Sequence, residues 1–149
     1  MLALGSIQST VAAAIAANAY IAQAPAVTVI NDDGLQDREI EVQRRTKGCL
    51  VVVPPVVRAV RRDKGGRTLL MDAEVVVRVE INPQVNAAVT GAQRNIYSLI
   101  QAVAKGLMDW NPGPGDYRFE ATEEWLQLVT NDPGLIAYEL SFAKSASIN

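Results

Sequence analysis

The sequence predicts an α+β fold: a mostly antiparallel sheet packed by an N-terminal helix and a central amphipathic helix, with an extended β-hairpin arm. Three observations carry this. Apolar residues recur at helical spacing through Ile96, Leu99, Ile100, Val103 and Leu107, giving one continuous face. Ala73, Val75, Val77, Val79 and Ile81 alternate with Glu74, Arg78 and Glu80, the period of a half-buried strand. Asn131-Asp132-Pro133-Gly134 separates two apolar runs, as in a hairpin. At 149 residues, 49% apolar and 20% charged, with no compositional break or internal repeat, the chain reads as one domain over residues 1–149.

In chain order, Ser6 is placed to cap a helix running to Gln23, with Ile7, Val11, Ala14, Ile15, Asn18 and Ala22 on one stripe. Pro25 stops it. The apolar middle of this stretch resembles a signal peptide, but no Lys or Arg precedes it and Asn18 interrupts it, so a helix of the mature, cytosolic protein is expected. No window is long and apolar enough to span a bilayer. Val27 to Ile30 reads as a short strand and Asn31-Asp32-Asp33-Gly34 as a turn. From Leu35 to Lys47, acids at the start, bases at the end and Gly48 beyond favour a helix, although Ile40 and Val42 alternate as in a strand.

Leu50 to Val53 is an unbroken aliphatic run, expected to be a strand buried on both faces. Pro54-Pro55 places the next part at a sheet edge or bulge, because proline cannot donate to a ladder. Val56 to Val60 resumes the strand, Asp63-Lys64-Gly65-Gly66 turns, and the alternating strand returns. Thr90 and Gln93 have the spacing of a capping box for a helix from Thr90 to Trp110, which Asn111-Pro112-Gly113-Pro114-Gly115 ends. Trp125 to Val129 and Leu135 to Ala143 form the closing hairpin, with Ile136, Tyr138, Leu140 and Phe142 on one face.

Composition excludes several chemistries. There is no histidine, which removes the commonest general base and transition-metal ligand. Cys49 is the single cysteine, so neither an internal disulfide nor a multi-thiolate zinc site can form; beside Leu50 and Val51 it reads as a small buried hydrophobe. The acidic turn lacks the ligand spacing of a calcium loop. Gly65-Gly66 and Gly113-Pro114-Gly115 lack the context of a phosphate-binding loop. Asp32, Asp33 and Asp37 are the clustered carboxylates that an enzyme would need to use, without a visible cleft. No catalytic residue, cofactor or metal is therefore expected. Trp110 and Trp125 read as core edges.

The feature left over is the basic hairpin. Arg58, Arg61, Arg62, Lys64 and Arg67 supply five positive charges against one from Asp63, a local +4. The whole chain is −2, so the remainder is −6. Guanidinium forks on such an arm suit an acidic surface of a neighbour. The plainer reading is that the charges guard an exposed edge against aggregation. DNA binding fits poorly, since the patch has no interleaved aromatics and the chain is acidic.

Taken together, the elements resemble the tail-terminator (tail-completion) proteins of long-tailed bacteriophages and phage-like particles. The resemblance rests on a strand ending in Ile81-Asn82-Pro83, followed by Asn86 and Thr90-Gly91. It continues in the helix closing in Leu107-Met108-Asp109-Trp110-Asn111-Pro112. Asp132-Pro133-Gly134-Leu135, Tyr138-Glu139-Leu140-Ser141-Phe142, and Leu35 with Lys47-Gly48-Cys49-Leu50-Val51-Val52-Val53 complete it. It implies a structural, non-enzymatic virion protein, assembled in the bacterial host cytoplasm and located at the tail or neck. Its subunits would form a homo-oligomeric ring, a hexamer, that caps the tail tube protein and ends tube polymerisation. The ring would meet head-completion or connector proteins while DNA passes through it without specific recognition; no membrane is involved. The arm from Val56 to Leu70 and the N-terminal helix would be subunit contacts. The alternative from the residues alone is a monomeric adaptor, or another neck subunit, that binds an acidic protein through the basic hairpin.

Overall fold

A computed structural model describes residues 3–23, 27–32, 49–82, 95–112, 118–132 and 134–147. The chain is α+β. A six-stranded sheet has the order β1-β2-β4-β6-β5, with β3 also paired to β4. The strands are β1 (Thr28–Asn31), β2 (Cys49–Val52), β3 (Val56–Arg62), β4 (Leu69–Ile81), β5 (Glu120–Asp132) and β6 (Leu135–Ser147). The helices are α1 (Ile7–Ala16), α2 (Ala19–Ala22) and α3 (Ile96–Met108), with a 3₁₀ turn at Leu4–Ser6. Among the described residues only β1 and β2 run parallel, and the other strand pairings are antiparallel.

The centre of the sheet is the β4–β6 ladder, in register from Leu70↔Ser147 to Ile81↔Ile136. Residues opposite one another share a face. Val75 with Phe142 and Val77 with Leu140 therefore point together into the main core, where Ile7, Val11 and Ile15 of α1 and Leu99, Val103 and Leu107 of α3 join them. The helical and strand periodicities thus select the same core face, as the sequence predicts. Burying a side chain the size of leucine contributes about 1.5–3 kcal/mol. The opposite face has its own small cluster, Ile30 against Val51. Leu50, Val51 and Val52 are all fully buried, so β2 is covered on both faces as expected.

The double proline has a clear consequence. β2 pairs with Val77 to Glu80 of β4, and β3 pairs with Leu69 to Glu74 on the same side. The two are one strand line interrupted at Pro54-Pro55, with the Val53 N–H donating to the Val76 carbonyl at 3.0 Å across the join. Past this break the seven residues of β3 are all exposed.

Several local expectations change. Ser6 makes no side-chain cap, and the first helix stops at Ala16. Asn18 takes extended backbone angles and accepts the Tyr20 N–H at 3.0 Å, capping α2 instead of sitting on a continuous stripe. Ile21, not Ala22, is then the buried residue. α3 begins at Ile96, capped by Asn95, whose Oδ1 accepts the Tyr97 N–H at 2.8 Å. Thr90 and Gln93 lie outside the described residues, as do the stretch from Leu35 to Lys47 and Pro25. Glu80 lies on the polar face by alternation but is buried, within 4.0 Å of Arg78, which also reaches Asp32 at 3.3 Å. The closing hairpin is longer than the apolar runs suggest, with 13 residues in each strand.

Candidate assembly interface

The arm is built by its turn and by ion pairs along its polar face. Asp63 accepts the Gly66 N–H with its carbonyl at 3.0 Å and the Arg67 N–H with its side chain at 3.0 Å. Gly66 takes φ of 67°, a left-handed geometry that glycine adopts without a Cβ penalty. From this turn β3 runs back along β4, with a bulge between Val57 and Ala59.

The structure gathers the five basic residues on one hairpin but gives them different work. Arg58 Nε pairs with Glu74 Oε2 at 2.7 Å. Arg61 pairs with Asp72 and donates to Ser145 Oγ at 3.1 Å, and Ser145 Oγ in turn donates to Asp72 Oδ1 at 2.9 Å. This cross-strand group ties β3, β4 and β6 together. The Arg61 hydrogen bond, aided by Ser145 and opposed by partial desolvation, holds the Asp72 carboxyl below the ordinary carboxylate range. Arg62, opposite Leu69, lies on the other face of β3, and Lys64 and Arg67 stand at the turn; all three are exposed. Two of the five cations therefore brace the arm internally, while three crown its tip.

A second surface lies across the sheet. β5 departs from regular pairing between Ala121 and Leu126 and again between Leu128 and Thr130. Glu120, Glu123 and Glu124 are exposed along it, followed by exposed Leu126, Leu128 and Val129. The sequence predicts a strand here but not its place at the end of the strand order. The signal was available as an acidic run without a base, next to apolar residues; what it lacked was the strand order that makes β5 an edge.

The other flagged residues have structural roles. Trp110 packs on Phe119 with ring centroids 5.3 Å apart, and Trp125 on Phe142 at 6.4 Å, both at the edge of the core. Buried Lys144 extends its ammonium over the Trp110 and Phe119 rings, 5.0 and 5.3 Å from their centroids. Asp32 is engaged by Arg78, and Asp33 and Asp37 lie outside the described residues. Among the described residues no cluster of metal-ligating side chains occurs, and no helix is long and apolar enough to cross a membrane.

No protein-family model matches the chain, and no curated protein sequence does. Among solved structures, a chain of the virion of a native gene transfer agent particle matches with a TM-score of 0.63 at 16% identity. The match covers 96% of this chain and 96% of that one, so the two share a fold from end to end.

Proposed function

We propose that this chain is a structural, non-enzymatic subunit of a phage-type virion, acting as a tail terminator. It forms a ring, hexameric in the resembled family, on the tail tube protein, ends tube polymerisation and presents its other face to head-completion proteins. DNA passes through the ring without being read, and the protein resides in the tail or neck after assembly in the host cytoplasm. The observation that carries this reading is the fold match over 96% of both chains to a component of a gene transfer agent virion. It agrees with the residues: a histidine-free, acidic chain is poorly equipped for acid–base catalysis or phosphate gripping.

The arm is the proposed subunit or partner contact, through Arg58, Arg61, Arg62, Lys64 and Arg67. Because Arg58 and Arg61 are paired within the arm, Arg62, Lys64 and Arg67 are the charges most available to a neighbour. The monomeric-adaptor reading would rest on the same three residues. Polymerisation of the cognate tube protein with and without this chain separates the two. A terminator yields short tubes of narrow length distribution with added density at one end by electron microscopy. Unchanged tube lengths with no bound density would contradict it.

A further inference from the structure

Among the described residues the strand order ends at β1 and β5 while β3 pairs with β4 alone, and the outer edges of β3 and β5 differ in kind. Among the described residues β3 pairs with β4 alone and β5 with β6 alone, so their outer edges lie on opposite sides of the sheet. β3 carries three arginines and no acid; β5 carries three glutamates and an aspartate and no base. Both edges also present apolar side chains on the same face. Val57 and Val60 stand opposite Ala73 and Met71, and Leu126 and Leu128 opposite Leu140 and Tyr138, all on the side of the main core. These edge residues are nevertheless exposed: 39% and 56% for the valines, 38% and 53% for the leucines.

We propose that copies of this chain join edge to edge, the outer edge of β3 in one copy adding to the outer edge of β5 in the next. The sheet then continues from subunit to subunit, with main-chain hydrogen bonds across the join. The inference rests on the ring reading above and names the surfaces that build the ring. The occupant of each edge is a second copy because the two edges complement each other in charge, in apolar face and in missing partners. Ordinary edge strands are guarded by lysine, proline or inward charge; here the apolar edge residues remain uncovered, a liability unless something pairs with them. The irregularities at Val57–Ala59, Ala121–Leu126 and Leu128–Thr130 confine regular pairing to short runs, which opposes indiscriminate sheet growth. Since the two surfaces differ, the contact is head to tail, the type that closes into a ring when the rotation per subunit divides a full turn.

Disulfide trapping tests this on the full chain. Val60 and Leu128 are more than half exposed, so Val60→Cys and Leu128→Cys leave the core intact. Directly opposed side chains on one face lie within disulfide reach, or nearly so. Under mild oxidant, alone and on assembled tubes, the double variant should give a covalent ladder on a non-reducing gel, ending at the ring size. Each single variant, which retains native Cys49, should show no ladder. Mixing the two single variants should give dimers containing one of each. A ring-sized particle by light scattering with no ladder would overturn this interface while leaving the terminator reading intact. A ladder with no effect on tube length would uphold the interface and remove the terminator role. No ladder and no oligomer, in solution or on tubes, would overturn the interface outright.

Discussion

At the residue scale, the arm turn depends on one backbone conformation. Gly66 is left-handed, and a Cβ there would meet nothing within 4 Å, so Gly66→Ala changes the backbone term alone. That conformation costs an ordinary residue about 1–2 kcal/mol. Urea unfolding should show Gly66→Ala less stable by about 1 kcal/mol. Gly65→Ala, whose Cβ would make ordinary contact with Asp63, is the control and should change stability by less than about 0.5 kcal/mol. Asp72 supplies a pH test. Its folded-state pKa is depressed, so the stability it contributes is fully present above its ordinary value of 3.8 and is lost as pH falls through the lowered value. Carboxyl NMR should place its midpoint below 3.8, and Arg61→Ala should raise it; a midpoint at or above 3.8 in the native chain would refute the pairing. Both features were half legible in sequence. Asp63-Lys64-Gly65-Gly66 announces a turn, but which glycine carries the positive φ, and which acid each arginine meets, depends on the strand register.

At the element scale, periodicity succeeded where one face is continuously apolar and failed where local capping chemistry competed. The buried face of α3 was readable because Ile96, Leu99, Ile100, Val103 and Leu107 keep helical spacing. Its start was not, since Thr90 and Asn95 both carry cap-forming side chains and only the fold selects between them. The N-terminal helix shows the same competition: Asn18 sits on the apolar stripe by spacing, yet its side chain captures the Tyr20 N–H and breaks the run. Asn95→Ala should therefore cost about 1 kcal/mol by chemical denaturation, with little change at neighbouring exposed positions. The α1–α3 packing has its own probe. A Cβ at Gly106 would lie 3.4 Å from the Ala14 carbonyl oxygen and 3.7 Å from Ile15 Cα. Gly106→Leu should force the helices apart and cost about 1–3 kcal/mol, while Gly106→Ala stays close to neutral.

At the scale of the whole molecule, the α+β class and the long arm were legible, whereas the arrangement of strands was not. Which strand lies at an edge is a non-local property: β5 becomes an edge because β6 pairs with β4 on its other side. The basic arm was visible in the sequence because its charges are contiguous. Its proposed counterpart was not, because the acids of β5 acquire meaning only from their position across the sheet. The double proline shows the intermediate case. It announced an interruption, and after it the strand line resumes as β3, paired with Leu69 to Glu74 of β4.

The proposed assembly through complementary edges would make the oligomer sensitive to charge. Reversing Arg62, Lys64 and Arg67 to Glu together should dissociate the ring without unfolding the arm, because the Arg58–Glu74 and Arg61–Asp72 pairs remain. Circular dichroism would confirm the retained fold. Reversing Arg61 and Arg62 should also dissociate it, but with the added loss of an internal brace. The most direct test is the absolute mass of the purified chain, by light scattering coupled to size exclusion at low and high salt. A ring would give a particle of several 16.0 kDa subunits at low salt that loses mass at high salt, where exposed charges are screened over about 3 Å at 1 M. A 16.0 kDa monomer at every concentration and salt, both alone and after incubation with tail tubes, would contradict it.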